Sequence, residues 1–374
     1  MKILVISNAG FNFTVFRKPL LLALQAQGLE VHVVAPGLSR QDKEYKILND
    51  LGITTHNIAM QRTGLNPITD TKLLLSLRAL FIAIKPDIVL AYTIKPVVYG
   101  TLAAYFANVP QRFALITGLG YAFQENDPSL KRTIIRQIAQ FLYRIALKRS
   151  HGVIFQNPDD KQLFRDRKLL NNTTPSTVVH GTGVDLTRFA AAPFNKTCIR
   201  FLFIGRLLAD KGVRELFAAA KIVKTQYSDV EIDIVGPLDE NPESIQQSEL
   251  DQWVKEGIIN YFGRLDDVRP HLAEASVFVL PSYREGTPLS TLEALAVGRA
   301  VITTDAPGCR ETVIDGENGF LIPIQDSQAL SEAMLTFIQQ PDLIQSMGLR
   351  SRVIAEEKYD VNKVNASMLK AMGL

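Results

Sequence analysis

The chain has 374 residues, more than one hydrophobic core readily serves, so two domains of similar size are expected. Its composition, 47% hydrophobic and 21% charged, is that of a soluble globular protein, and two cysteines, Cys198 and Cys309, are too few for a disulfide framework or a zinc site. The net charge of +3 hides an asymmetry: residues 1–190 carry 23 Lys and Arg against 12 Asp and Glu, and residues 191–374 carry 18 against 26, so the first half suits an anionic partner.

Residues 1–7 hold a short apolar run but no longer apolar core with a cleavage site, so no signal peptide is indicated. No run of about 18 apolar residues could cross a bilayer, which leaves the cytosol or a membrane surface as the expected location. Short β-branched runs alternate with helical patterns, the mark of parallel sheets built from βαβ units. In the first half strands are predicted at 2–7, 30–35, 54–58, 87–92, 112–117, 152–155 and 177–179. A helix is predicted over 129–149, with Leu130, Ile134, Ile135, Ile138, Phe141, Leu142 and Ile145 at helical spacing and six cations but no acid. That apolar face suits either packing on its own sheet or docking on an anionic membrane, and docking is the expectation.

A stretch without periodicity, Gly181 to Phe194, places the domain boundary near residue 190. Beyond it strands are predicted at 199–204, 231–235, 258–262, 277–281, 300–304 and 319–322, followed by a helical segment over 342–373. The organisation expected is a first doubly wound domain over 1–190, a second over 191–355, and a C-terminal helix over 356–374 crossing back to the first. No internal repeat is present.

Ligands of open α/β sheets bind beyond the carboxyl ends of strands, so the loops there are the places to search. After the strand at 199–204 come Gly205-Arg206 and Lys211-Gly212, two cations at the start of a helix. This reads as a diphosphate site or as an ordinary basic strand-to-helix loop. After the strand at 277–281 comes Ser282-Tyr283-Arg284-Glu285-Gly286-Thr287-Pro288-Leu289, with Glu293 one to two turns into a helix starting near Pro288. Glu285 is then poised at the sheet edge; alternatively the two acids only favour a helix start.

The Glu285-x7-Glu293 pair, preceded by Pro281-Ser282 and followed by Ala294 and Gly298, resembles the signature of the retaining GT-B transferases of glycosyltransferase family 4. Arg206 and Lys211 resemble that family's diphosphate-binding pair. Gly183-Val184-Asp185 with Arg188-Phe189, and Asp305 to Gly308 with Glu311, Gly316, Gly319 and Phe320, resemble its flanking segments, so the likeness covers nearly the whole chain. It implies two Rossmann-like doubly wound α/β domains facing a cleft. It also implies that Arg206 and Lys211 neutralise the donor diphosphate in place of a metal, with no other cofactor. Glu293 would accept hydrogen bonds from the ribose, Glu285 would contact the transferred sugar, and Gly286, Thr287, Pro288 and Leu289 would approach sugar and phosphate. Arg264 and Leu265 would flank the base, and Gly10 would let the N-terminal loop approach the phosphates across the cleft. Glu285, Arg206 and Lys211 are the expected catalytic set.

No Asp-x-Asp element and no Walker loop is present. One departure stands out: the loop Ile116 to Tyr121 lacks the histidine that many family members place beside the transferred sugar. His32, His56, His151 and His271 are read as structural, and His180 as a hinge residue. The polar and glycine-rich stretches at 62–67, 92–100 and 117–123 resemble the subfamily that adds N-acetylhexosamines, often N-acetylgalactosamine, to sugars on undecaprenyl diphosphate. This implies a UDP-sugar donor and an undecaprenyl-diphosphate-linked acceptor met at the inner face of the cytoplasmic membrane, with bacterial surface polysaccharide as product. Arg62, Thr93, Lys95, Gly118 and Tyr121 are the acceptor-side candidates, Arg62 and Lys95 for its diphosphate. Three rivals are a nucleotide-sugar 2-epimerase of the same architecture, which needs acid–base groups that the first half lacks, a two-domain sugar-binding protein, and a nucleic-acid binder, for which no recognition module is present.

Overall fold

A computed structural model describes residues 1–61, 64, 66–119, 130–194, 198–239 and 244–374, with Leu130, Lys131 and Arg132 described by backbone alone. The chain divides into two compact units, one of Met1–Thr182 with Val364–Leu374 and one of Gly183–Lys363.

Unit one is a seven-stranded sheet in the order β3-β2-β1-β4-β5-β6-β7. Its strands are β1 (Lys2–Ile6), β2 (Glu30–Ala35), β3 (Thr54–Asn57), β4 (Ile88–Tyr92), β5 (Gln111–Ile116), β6 (Gly152–Phe155) and β7 (Ser176–Val178), all parallel. Side chains alternate between two buried faces. Along β1, Leu4 and Ile6 enter one core and Ile3 and Val5 the other. Both faces of a parallel sheet are covered by helices, which is why β1 and β4 read as unbroken apolar runs rather than alternating ones. Met368, Leu369 and Met372 of the C-terminal helix complete the second of these cores.

Unit two holds a six-stranded parallel sheet in the order β10-β9-β8-β11-β12-β13. Its strands are β8 (Arg200–Ile204), β9 (Glu231–Val235), β10 (Asn260–Tyr261), β11 (Val277–Leu280), β12 (Ala300–Thr304) and β13 (Gly319–Ile322). Each predicted strand is present within about two residues, the order of error that fraying ends produce.

The boundary lies at 182/183 rather than near 190. The reason is packing: Val184 and Phe189 are buried in the second core, the Val184 N–H donates to the Tyr359 carbonyl (2.8 Å), and the Val361 N–H donates to the Val184 carbonyl (3.0 Å). Farther on, the buried Arg299 guanidinium donates to the Ala192 and Pro193 carbonyls at 2.5 and 3.3 Å, so the aperiodic stretch belongs to unit two. The second predicted domain likewise ends later, at Lys363 rather than 355, and the crossing segment begins at Val364 rather than 356.

The helix predicted over 129–149 runs Leu130–Leu147. The residues that meet the core are not those of the predicted apolar set. Ala139, Tyr143, Ala146 and Leu147 meet the core, Tyr143 meeting Phe164 edge-on, whereas Ile134, Ile138, Phe141 and Ile145 are exposed, Phe141 by 57%. Ile135 and Leu142 lie between. Residues i, i+4, i+7 and i+11 share one side of a helix, so the outward four make a continuous stripe.

Candidate active site

The second sheet reverses its strand order between β8 and β11, the kind of point at which parallel α/β sheets bind ligands. Two loops leave the carboxyl edge there, Gly205 to Gly212 after β8 and Pro281 to Pro288 after β11. They are locked together. The Tyr283 N–H donates to the Asp210 carbonyl (2.9 Å). Gly212 adopts φ +68°, and a Cβ there would lie 2.1 Å from the Pro281 carbonyl oxygen, an approach only glycine permits.

That approach brings together residues 74 positions apart: Lys211 Nζ donates to Glu285 Oε1. The Ser282 hydroxyl donates to the same oxygen at 2.9 Å, so two donors hold the carboxylate, and the Glu285 N–H donates to the Pro307 carbonyl at 2.9 Å, which fixes the backbone that carries it. The two side chains are only 17% and 14% exposed. Burial alone would lower the Lys211 pKa, but Glu285 and Asp210 hold it above the ordinary value and keep a full positive charge at neutral pH. Arg206 acts electrostatically on the same ammonium. Its own Nη1 donates to Asp239 at 2.8 Å in a pair open to solvent, which costs little to exchange for another anion.

The helix Leu289–Val297 starts after Pro288, with Gly286, Thr287 and Pro288 buried beneath it. Glu293, its fifth residue, differs from Glu285: among the described residues it has no hydrogen-bond or ion-pair partner. Burial pushes its carboxyl up to about 7, with Arg188 opposing and Asp267 reinforcing the shift. Arg264, exposed, and Leu265, half-buried, follow β10 at the same carboxyl edge. The Gly236 N–H donates to the Gly263 carbonyl (2.8 Å), tying their turn to the loop after β9. Among the described residues no group of three or more His, Cys, Asp or Glu side chains is arranged to hold a metal ion.

In unit one the strand order reverses between β1 and β4. Gly10 follows β1, and a Cβ there would lie 2.8 Å from the Gly37 carbonyl oxygen, so close packing against the turn after β2 already requires glycine. Thr93 follows β4 with φ +70°, a strained backbone for a β-branched residue, and its hydroxyl is buried with no hydrogen-bond partner among the described residues. Gly118, half-buried, follows β5. Arg62 and Tyr121 lie outside the described residues.

Lys95 is a correction. It is buried, and its Nζ donates to Asp70 Oδ1 at 2.7 Å, while the Tyr99 hydroxyl donates to Asp70 Oδ2 at 3.1 Å. Its charge is therefore matched in the interior rather than offered to an acceptor phosphate. Part of the polar stretch before it is also accounted for, since Asn66 Oδ1 accepts from the Ile68 and Thr69 N–H groups and caps the helix Pro67–Ile84. Sequence reasoning passed over Asp70, which carries no local signal, and Arg17, whose signal was the adjacent pair of cations Arg17-Lys18 in the mostly apolar stretch from Phe11 to Leu24.

Comparison with known proteins agrees with this architecture. Residues 2–157 match the family described as Glycosyl transferase 4-like, and residues 198–340 match Glycosyl transferases group 1. Among curated relatives, the chain is 29% identical to the N,N'-diacetylbacillosaminyl-diphospho-undecaprenol alpha-1,3-N-acetylgalactosaminyltransferase of Campylobacter jejuni, over 99% of this chain and 98% of that one. It is 28% identical to the UDP-Gal:alpha-D-GlcNAc-diphosphoundecaprenol alpha-1,3-galactosyltransferase of Escherichia coli, over 77% and 76%. Among solved structures it is similar to sucrose-phosphate synthase from Thermosynechococcus elongatus, with TM-score 0.82, 20% identity and coverage of 99% and 98%. It is also similar to Anabaena HepE in complex with UDP, with TM-score 0.77, 18% identity and full coverage of both chains at 100%.

Proposed function

We propose that this chain, which belongs to the GT-B glycosyltransferases, moves an N-acetylhexosamine from a UDP-sugar to a saccharide carried on a lipid diphosphate, with retention and without a metal. The observation that carries the reading is the Lys211–Glu285 pair at the switch point of the second sheet, in a chain that matches a lipid-diphosphate-dependent N-acetylgalactosaminyltransferase along its whole length.

The donor diphosphate is the stronger anion, and on arrival it draws Arg206 from its solvent-exposed pair with Asp239 and shares Lys211 with Glu285. The two cations then stabilise the charge that develops on the leaving diphosphate, the task a divalent metal performs in other transferases. Glu285, fixed by Ser282 and Lys211, accepts from hydroxyls of the transferred sugar, and the unpartnered Glu293 accepts from the ribose. Gly286 to Leu289 bring main chain toward sugar and phosphate, and Arg264 with Leu265 lies beside the base. The names of both relatives specify an α-1,3 product, the outcome of retention from an α-linked donor. In that chemistry the leaving phosphate takes the acceptor proton on the same face, so no dedicated protein base is required.

The outward stripe Ile134, Ile138, Phe141 and Ile145 supports docking on an anionic membrane, where a lipid-linked acceptor resides. Arg136 adds a cation on the same helix and Lys148 one in the turn that follows it, whereas Arg144 is engaged with the Lys168 and Arg167 carbonyls at 3.0 and 3.3 Å and Arg149 lies over the Tyr105 ring. Among the described residues no helix is long and apolar enough to cross a membrane. Each basic residue near an anionic leaflet adds about 1 kcal/mol, enough for reversible attachment. Co-sedimentation with anionic liposomes checks this: Ile138→Gln with Phe141→Gln is expected to reduce binding severalfold, and equal binding would contradict docking by this helix. The activity itself is tested by supplying UDP-sugars and lipid-diphosphate-linked saccharides and identifying the product.

A further inference from the structure

Among the described residues two arginines are almost wholly buried, and their surroundings differ. Arg299, 1% exposed, donates to four carbonyl oxygens, those of Ala275, Ala192, Pro193 and Val297. Arg17, 3% exposed, makes no side-chain hydrogen bond and has no carboxylate partner among the described residues, and its Nε is buried without an acceptor. Its guanidinium rests on an aromatic ring, with Cζ 5.2 Å from the centroid of Tyr92, which Phe13 meets edge-on from 5.9 Å. A cation–π contact offsets only part of the cost of burying a charge. Arg17 thus lowers stability in this state, which is unexplained if its role is packing.

Its position supplies the explanation. Tyr92 is the last residue of β4 and Arg17 follows the short helix that leaves the β1 loop, so the guanidinium lies at the reversal of the first sheet. The loop is held by Asn12, whose side-chain amide donates to the Ser7 hydroxyl (2.8 Å) and Asn8 Oδ1 (3.0 Å). Thr93, next in the chain, holds its strained backbone and its unpartnered hydroxyl at the same strand end. A planar guanidinium with free donors matches a phosphate fork better than any other side chain.

We infer that Arg17 is a phosphate-binding residue, receiving a diphosphate group at the carboxyl edge of the first sheet with the Thr93 hydroxyl as a neighbouring donor. The inference rests on the glycosyltransferase reading, in which two diphosphates occur, that of the nucleotide donor and that of the lipid acceptor. Binding titrations separate them without requiring turnover. UDP is titrated into wild type and Arg17→Met, and inorganic pyrophosphate is then titrated into each protein saturated with UDP. A roughly tenfold to hundredfold loss of UDP affinity in Arg17→Met assigns Arg17 to the donor. A pyrophosphate site present beside UDP in wild type, lost in Arg17→Met and partly restored in Arg17→Lys, assigns it to the acceptor. Unfolding of the ligand-free proteins adds a readout that a packing role would move the other way: Arg17→Met is expected to melt a few degrees above wild type. Should Arg17→Met not fold, Arg17→Lys, which keeps the charge and loses the fork, carries both titrations. Unchanged UDP affinity with no second pyrophosphate site overturns the inference, as does an Arg17→Met that melts lower and binds both ligands like wild type. A protein that binds as expected but transfers no sugar would instead count against the enzymatic reading alone.

Discussion

Lys211 and Arg17 are both buried cations at the reversal point of a parallel sheet, and they hold their charge in opposite ways. Lys211 is matched by Glu285 and sits beside a second matched cation, Arg206 with Asp239. Among the described residues Arg17 has only the face of Tyr92. A matched pair costs little until a ligand replaces one member, whereas an unmatched guanidinium costs stability continuously and gains a partner only when an anion arrives. On the proposed reading the two sheet edges prepare for phosphate in two ways, one by exchange and one by vacancy.

Breaking the matched pair has the largest expected effect. Glu285→Gln should lower kcat by about 100-fold to 1,000-fold, because the sugar contact and the fixing of Lys211 are lost together. Either single neutralisation, Glu285→Gln or Lys211→Met, leaves an uncompensated buried charge or donor and should destabilise by roughly 3 kcal/mol. The double variant should melt closer to wild type than either single one while remaining inactive. Denaturant unfolding of all three checks this, and additive losses would show that the pair is not coupled.

Asp70 gives the structural counterpart. Asp70→Asn should cost about 3 kcal/mol by stranding Lys95, with the acceptor KM unchanged in the variant that still folds. A selective rise in that KM would return Lys95 to the acceptor site.

Glu293 sharpens the comparison through pH. Its folded pKa, about 7, is raised above the ordinary 4.5, so between those values the native state binds more protons than the unfolded state. Stability therefore falls as pH rises through that window, and the cost of the charged form persists above it. Glu293→Gln should consequently be more stable than wild type at pH 8, by on the order of 2 kcal/mol, with the difference vanishing near pH 4. Donor affinity should move oppositely. The ribose is best held by the carboxylate, so donor KM of wild type should rise as pH drops from 8 to 6, and Glu293→Gln should show a raised KM without that slope. The smallest effect expected is at Thr93: Thr93→Gly removes side-chain strain at φ +70° and should stabilise by about 1 kcal/mol in thermal unfolding.

The strands, and the two loops after β8 and β11 that the structure brings together, were legible because β-branched periodicity is local and because Arg206, Lys211, Glu285 and Glu293 stand in short motifs at strand ends. Contacts across the fold were not. Lys95 and Asp70 are 25 residues apart, and nothing near Lys95 signals that a carboxylate from the helix Pro67–Ile84 will neutralise it. The helix Leu130–Leu147 showed a set of apolar residues at helical spacing, but the residues that meet the core, Ala139, Tyr143, Ala146 and Leu147, lie outside that set, because spacing alone does not say which side a neighbouring Phe164 will cover. The domain boundary slipped by a few residues because an aperiodic stretch is still claimed by one core, through Val184, Phe189 and Arg299.

The transfer reaction itself is the most direct test. Purified protein is incubated with UDP-N-acetylhexosamines and a lipid-diphosphate-linked saccharide in the presence of a chelator, and the product is analysed by mass spectrometry and NMR. One added N-acetylhexosamine in α linkage, at a rate that magnesium or manganese does not raise, is the predicted result. A β linkage, activity that requires added metal, or conversion of the donor alone to an epimer with no acceptor modified would contradict the proposed retaining, metal-independent transfer.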